Sequence, residues 1–129
     1  MVLVDTSVWV DHLRRGNSEL TTLLRQNQVL SHPFVVGELA LGNLQQRHNV
    51  LAALQNLPAA TVATEQEVLS LIARHALYGT GIGYVDAHLL ASARLSPNCK
   101  LWTFDKRLQV AAVALGVACS EIALRVAQR

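Results

Sequence analysis

The sequence predicts an α/β fold, a three-layer sandwich in which a central, mostly parallel sheet of four to five short strands is flanked by helices. Two observations carry this. Short apolar runs of strand length alternate with longer segments that bear helix start and stop signals. In addition, Asp5 and Asp105 directly follow the first run, Val2-Leu3-Val4, and the best one, Cys99–Phe104. Ligand sites of open parallel sheets form at such carboxyl ends.

Taken in order, Val2-Leu3-Val4 is a buried strand, and a helix from about Ser7 to Arg15 follows it until Gly16-Asn17 stops it. Ser18 can cap a second helix to about Gln26, and Val29-Leu30-Ser31 is the next strand. Pro33 at a first helical position opens a helix to about Gly42. A further helix runs from about Gln45 to Asn56, before Pro58. A strand near Ala60–Ala63 precedes a helix capped by Thr64, with Glu67 three residues on, which extends to about Tyr78. After the glycine-rich connection 79–83, a helix covers about Tyr84–Leu95 and Ser96-Pro97-Asn98 ends it. The strand Cys99–Phe104 leads into a helix from Asp105 or Lys106 to Leu115, then a short strand Val117-Ala118 and a helix from Ser120.

At 129 residues, with 51% hydrophobic and 16% charged residues, the chain is expected to fold as one domain, 1–129. A net charge of +2 creates no overall field that demands nucleic acid, so any such contact needs a local basic patch. The positive mean hydropathy, +0.28, points to apolar surface covered by a partner. Cys99 and Cys119 read as buried thiols in a reducing compartment rather than a disulfide framework. No basic leader precedes the first apolar run, and no run approaches the roughly 18 apolar residues of a membrane span. The expected location is the cytoplasm, with no membrane contact.

Of the nine acidic residues, five have ordinary explanations. Glu65 and Glu67 belong to the Thr64 capping box, Glu19 and Glu121 follow serines at helix starts, and Asp11 stands four residues before Arg15 as a surface ion pair. The other four, Asp5, Glu38, Asp86 and Asp105, sit in strongly apolar sequence. A carboxylate drawn into such surroundings is costly unless something pairs with it. Few basic residues share those segments, so a divalent metal is the expected partner. Mg²⁺ and Mn²⁺ take carboxylate and water oxygens, and against a phosphodiester they can activate water and neutralise the leaving oxygen. Each acid also has a plain reading: Asp5 and Asp105 as N-caps, Asp86 as a first-turn acid, Glu38 as half of an ion pair.

Four segments together resemble a PIN-domain protein of the VapC toxin type. They are Asp5-Thr6-Ser7 after the opening strand, the isolated Glu38, Gly83-Tyr84-Val85-Asp86-Ala87-His88-Leu89-Leu90-Ala91-Ser92-Ala93, and Leu101-Trp102-Thr103-Phe104-Asp105-Lys106-Arg107-Leu108. The resemblance covers essentially the whole chain and implies a PIN-like nuclease domain acting as an Mg²⁺- or Mn²⁺-dependent endoribonuclease. It further implies a VapB-like antitoxin, a homodimer, and contact with DNA only indirectly through the antitoxin. Carried over residue by residue, it makes Asp5, Glu38, Asp86 and Asp105 the catalytic and metal-binding set. Thr6 and Thr103 become auxiliary hydroxyls that orient water or carboxylate.

Other residues are candidates of lesser weight. Lys106, Arg107, Arg14 and Arg15, with Arg94 behind them, could meet an RNA backbone or be solvated surface charges. Gly79, Gly81 and Gly83 follow a helix and lack the spacing of a phosphate-binding loop. Ser7 has no evident His–Asp partners for nucleophilic chemistry. His12 and His88 read as structural or surface residues, and Trp9, Trp102 and Phe34 as core. Two alternatives to the nuclease stand beside it: a receiver-like Mg²⁺-binding signalling module, and a catalytically silent PIN-like binding domain.

Overall fold

In the computed structural model, which describes residues 1–120, the first apolar run becomes the middle of the sheet. β1 (Val2–Val4) lies between β2 (Val29–Leu30) and β3 (Lys100–Trp102), with both pairings parallel. Leu3 pairs with Leu30 on one side and Leu101 on the other, and Leu3, Val4 and Leu101 are fully buried. Strands covered on both faces read as unbroken apolar runs rather than alternating ones, which is why this sheet shows in the sequence.

The four to five strands expected appear as three, with the outer two reduced to single parallel bridges, Ser31 with Ala59 and Leu101 with Ala118. The expected strand at Ala60–Ala63 therefore falls on its predecessor Ala59. The cause lies in the backbone donors: Pro58 has no N–H, and the amide of Thr61 is taken by the Ser96 hydroxyl at 2.9 Å instead of a neighbouring strand.

Seven helices are described: α1 (Thr6–Arg15), α2 (Ser18–Arg25), α3 (Pro33–Ala40), α4 (Arg47–Gln55), α5 (Glu65–Arg74), α6 (Tyr84–Leu95) and α7 (Lys106–Ala114). The residue capping α2 is Asn17, not Ser18: its side chain accepts the Leu20 amide at 3.0 Å. α5 stops at Arg74, short of the expected Tyr78, because Ala76 turns left-handed (φ 51°) and the Leu77 amide reaches back to the Ile72 carbonyl at 3.0 Å. That closure normally advertises itself with glycine, and here alanine hides it. The expected helix from Ser120, and Glu121 as its first acid, lie outside the described residues. Among the described residues no helix is long and apolar enough to cross a membrane.

α6 is the most deeply set helix, with every residue from Ala87 to Ala93 buried. It supports α3 through a polar contact in the core. His32, fully buried, caps α3 by accepting the Phe34 amide on Nδ1 (3.1 Å), which leaves Nε2–H to donate to the Ser92 hydroxyl on α6 (3.0 Å). Burial first, and the neighbouring His88 second, lower the His32 pKa from 6.5 to about 4.

Because the unfolded chain binds this proton near pH 6.5 and the folded one does not until about pH 4, stability is present above the first value. It is lost as pH falls between the two, by about 2–3 kcal/mol. Melting temperatures taken from pH 7 to 4 are expected to fall less steeply for His32→Gln than for wild type. His88, whose pKa burial also lowers, sustains part of the slope in both. Equal slopes would remove His32 as its source.

Candidate active site

The chain leaves β1 toward β2 on one side, while β3 lies on the other, so the crevice beyond the carboxyl ends of β1 and β3 is a topological switch point. Asp5 occupies it. The Asp5 amide donates to the Trp102 carbonyl at 2.9 Å, which extends the β1–β3 pairing by one step and fixes the residue at the sheet's edge. Asp5 holds the N-cap position of α1 but does not cap it. Its Oδ2 instead accepts two hydroxyls at 2.7 Å, from Ser7 and from Thr103. Each hydroxyl is itself oriented by a backbone donor: Ser7 Oγ accepts the Phe104 amide and Thr103 Oγ1 the Asp105 amide, both at 3.0 Å.

The remaining acids arrive from three helices. Glu38, on α3, accepts the Thr6 hydroxyl on Oε1 at 2.7 Å. Asp86, in the first turn of α6, accepts the Gly83 amide on Oδ2 at 3.1 Å. Asp105 caps α7 by accepting the Leu108 amide on Oδ1 at 3.0 Å. The plain readings of Asp86 and Asp105 as helix-start acids are thus geometrically satisfied, and those of Asp5 and Glu38 are not among the described residues.

In each of the four, the hydrogen bonds found engage a single carboxylate oxygen, and none of the four is in an ion pair among the described residues. Their charges meet at Asp86. Its pKa is raised, first by burial, with the Gly83 amide pulling the other way, and then by repulsion from Asp5, Asp105 and Glu38. Among the described residues no three His, Cys, Asp or Glu side chains form a ready cage for a metal ion.

Local hydrophobicity misjudged burial at two of the positions. Asp5 is buried, at 5% exposure, and Asp86 half-buried, but Glu38 and Asp105 are exposed. Apolar neighbours do not bury a residue when they are themselves outside, and Leu41, one turn from Glu38, is 90% exposed. The desolvation cost expected for all four holds for Asp5 and in part for Asp86.

The basic candidates separate. Arg15 is tied to Asp11 at 2.6 Å, the expected surface pair. Arg14 lines two clefts, of about 480 and 430 Å³, on either side of α1: one contains Thr6 and Glu38, the other Ser7 and Phe104. Lys106 and Arg107 are exposed beside Asp105, and the Arg107 side chain lies across Gly81, whose φ of 87° and lack of a Cβ make room for it. Arg94 contacts His75 at 2.7 Å in a different cleft, between α5 and α6.

Trp9 and Trp102 are core, as expected, but Phe34 is 37% exposed and packs on His88 with centroids 4.5 Å apart. His12 is structural, its Nδ1 accepting the Asn17 amide. Both cysteines are buried and free. Ser7, which lacks partners for nucleophilic chemistry, holds Asp5 instead; its two-residue spacing from Asp5 is the only sign of this in the sequence. Phe104, expected at the end of the strand, lies two residues beyond the last paired residue, Trp102, and is 51% exposed.

Two comparisons bear on this geometry. The family model of the PIN domain matches residues 2–114. Ribonuclease VapC32 from two strains of Mycobacterium tuberculosis is 49% identical to the chain over 121 residues, which span 94% of this chain and 98% of the relative.

The anchoring of Asp5 is open to test. Thr103 is buried, so Thr103→Val removes one donor to the carboxylate and leaves the Asp105 amide without its acceptor, at a cost of about 1–3 kcal/mol in urea unfolding. Thr103→Ser keeps the hydroxyl and is expected to recover most of that. A valine variant as stable as wild type would mean that Thr103 does not hold Asp5.

Proposed function

This chain belongs to the PIN-domain family, of the VapC type, and on that premise we propose that it is a metal-dependent endoribonuclease toxin held in check by a VapB-like antitoxin. The observation that carries the reading is the set of four carboxylates around one crevice, none paired with a cation among the described residues, with Asp86 repelled by the other three. The similarity to a protein named Ribonuclease VapC32 supports RNA as the substrate. Family membership replaces the receiver-like alternative. The four acids together favour an active enzyme over a silent binding domain.

The donor set fits Mg²⁺ or Mn²⁺: all oxygen, all carboxylate, and each acid with one oxygen outside the hydrogen bonds that position it. That the acids form no closed cage accords with an ion that keeps several of its own waters. Such an ion, when bound, supplies a lowered water pKa and charge neutralisation at a phosphodiester.

The chain's own residues have distinct parts in this scheme. Asp5 would be the fixed ligand: Ser7 and Thr103 hold its Oδ2, and Oδ1 lies outside the hydrogen bonds found among the described residues. Asp86 stands on the rigid, buried α6 as the second. Glu38 and Asp105, exposed at the mouth, act on the water side of the site, with Thr6 steering Glu38. The half-buried cluster disfavours four simultaneous charges, so cation binding relieves repulsion already present in the fold.

Without metal, neutralising Asp86 should help the fold. A carboxyl with a raised pKa contributes stability at low pH that is lost as pH rises through that pKa, so at neutral pH the ionised form is a cost. Asp86→Asn keeps an oxygen for the Gly83 amide and is expected to melt at or above wild type in EDTA. It should gain little from millimolar Mg²⁺ and cleave RNA slower by orders of magnitude. Wild type should cleave single-stranded RNA regions only with Mg²⁺ or Mn²⁺. Undiminished cleavage in excess EDTA, or an Asp86→Asn variant stabilised by Mg²⁺ as much as wild type, contradicts the assignment.

The proposal extends to assembly: a homodimer in the cytoplasm, joined further by antitoxin, with DNA reached only through that antitoxin. Large apolar side chains left outside support it, among them Leu41, Tyr78, Val110 and Val113, all at least 61% exposed. Light scattering at tens of micromolar should give the mass of a dimer, and a larger complex when antitoxin is co-expressed. A monomer under both conditions contradicts the proposal.

A further inference from the structure

The 430 Å³ cleft on the outer side of α1 has a composition unlike the acidic crevice beside it. Ser7, Val10, Asp11, Arg14, Arg15 and Phe104 line it. The Phe104 ring is half outside, yet its position is fixed. Its amide is held by Ser7 Oγ at 3.0 Å, and its inner edge meets Trp102, itself buried, in a T-shaped contact with centroids 5.9 Å apart. Both of its chain neighbours, Thr103 and Asp105, are engaged in the acid cluster, so the exposed ring stands directly beside the acidic crevice.

Charge in the cleft is equally lopsided. Asp11 has both oxygens engaged, by Arg15 at 2.6 Å and by the Asn17 amide group at 3.2 Å. Arg14 therefore faces the cleft uncompensated, and it is in no ion pair among the described residues. The same Arg14 also borders the cleft that holds Thr6 and Glu38, so it stands on the ridge between the acids and this second space. An aromatic face and a free guanidinium across one cleft match the two halves of a nucleotide, a π-face and a phosphate.

We propose that this cleft is a nucleotide subsite, in which an unpaired nucleotide adjoining the scissile phosphodiester stacks its base on Phe104 and lays its phosphate against Arg14. The inference rests on the ribonuclease reading and adds how the strand is held. Phe104 has no hydrogen-bonding group, so the subsite takes any base but requires it unstacked, which selects single-stranded RNA over a duplex.

The test is binding of a short fluorescent single-stranded RNA in EDTA, followed by anisotropy for wild type, Phe104→Leu, Phe104→Trp and Arg14→Gln. Phe104→Leu is expected to weaken binding about tenfold and Phe104→Trp to restore it. Arg14→Gln should lower the slope of log affinity against log salt by about 0.7, one single-strand phosphate contact. A change in the RNA instead of the protein guards against misfolded variants: wild type should bind an oligonucleotide with one abasic nucleotide in the subsite about tenfold more weakly than the intact RNA, and Phe104→Leu, compared with itself, should not distinguish the two. Equal affinity of wild type for intact and abasic RNA, or wild-type affinity and salt slope in Phe104→Leu and Arg14→Gln, overturns the subsite. Cleavage of the same RNA with Mg²⁺ tests the nuclease separately: cleavage with unaffected binding removes the subsite alone, and binding that depends on Phe104 and Arg14 without cleavage removes the nuclease alone.

Discussion

The double hydrogen bond to Asp5 Oδ2 is the constraint on which the rest of the molecule's functional end depends. Ser7 and Thr103 are 96 residues apart in the chain, yet their hydroxyls stand 3.4 Å from each other, over one carboxylate oxygen. Each hydroxyl also receives an amide from the turn after β3. Two of the four bonds, Thr103 to Asp5 and Phe104 to Ser7, join the start of α1 to the end of β3, and the other two hold their partners in place. Backbone pairing joins the two strands as far as the Asp5 amide and the Trp102 carbonyl. The hydroxyl network extends that tie beyond the last paired residues and engages only one oxygen of Asp5. A buried charge is tolerable when hydrogen bonds replace its water, and here the replacement is one-sided, leaving the other oxygen for a ligand.

Stability and the proposed chemistry pull against each other around that anchor. Structural acids elsewhere in the chain have partners: Asp11 has Arg15, and Glu67 closes the Thr64 capping box. The four in the crevice have donors that position them but, among the described residues, no cation that neutralises them. The fold tolerates this by placing the repulsion at a solvent boundary, with Glu38 and Asp105 exposed, and by distributing the acids over α1's entrance, α3, α6 and α7, so that no single element carries the strain.

How much of this was legible depends on range. The alternation of strands and helices, the ends of α6 and the Thr64 capping box rest on local patterns, and local patterns show in a sequence. The α5 terminus was missed because Ala76 adopts a conformation that glycine usually signals. The outer strands shrank to bridges because Pro58 withholds a donor and Ser96, 35 residues away from Thr61, supplies an acceptor. Likewise the identities of the four acids could be picked out by their apolar context, yet that context was wrong about burial for Glu38 and Asp105. Asp5, Asp86 and Asp105 lie at a strand end or a helix start, and Glu38, near the end of α3, meets the start of α1 through the Thr6 hydroxyl, whether or not these residues are buried. Ser7 and Phe104 escaped because their importance lies in contacts spanning almost the whole chain.

The four acids also differ in how firmly the fold holds them, and this orders their roles. Asp86 begins a helix whose next seven residues are all buried, so its backbone cannot shift without disturbing the core. Asp5 is clamped by hydroxyls at the edge of the central strand. Glu38 rides on the short α3, whose outer residues Phe34, Gly37 and Leu41 are exposed, and it is steered by one threonine. Asp105 is fixed through its capping bond but lies open to solvent. Catalysis by a positioned ion needs invariant geometry on the ligand side and exchange on the water side. In the proposed enzyme Asp5 and Asp86, the more buried pair, would supply the first, and the exposed Glu38 and Asp105 the second. In the proposed scheme the buried pair would form the floor, and an RNA strand would enter from the open side, over α1 toward Arg14 and Phe104.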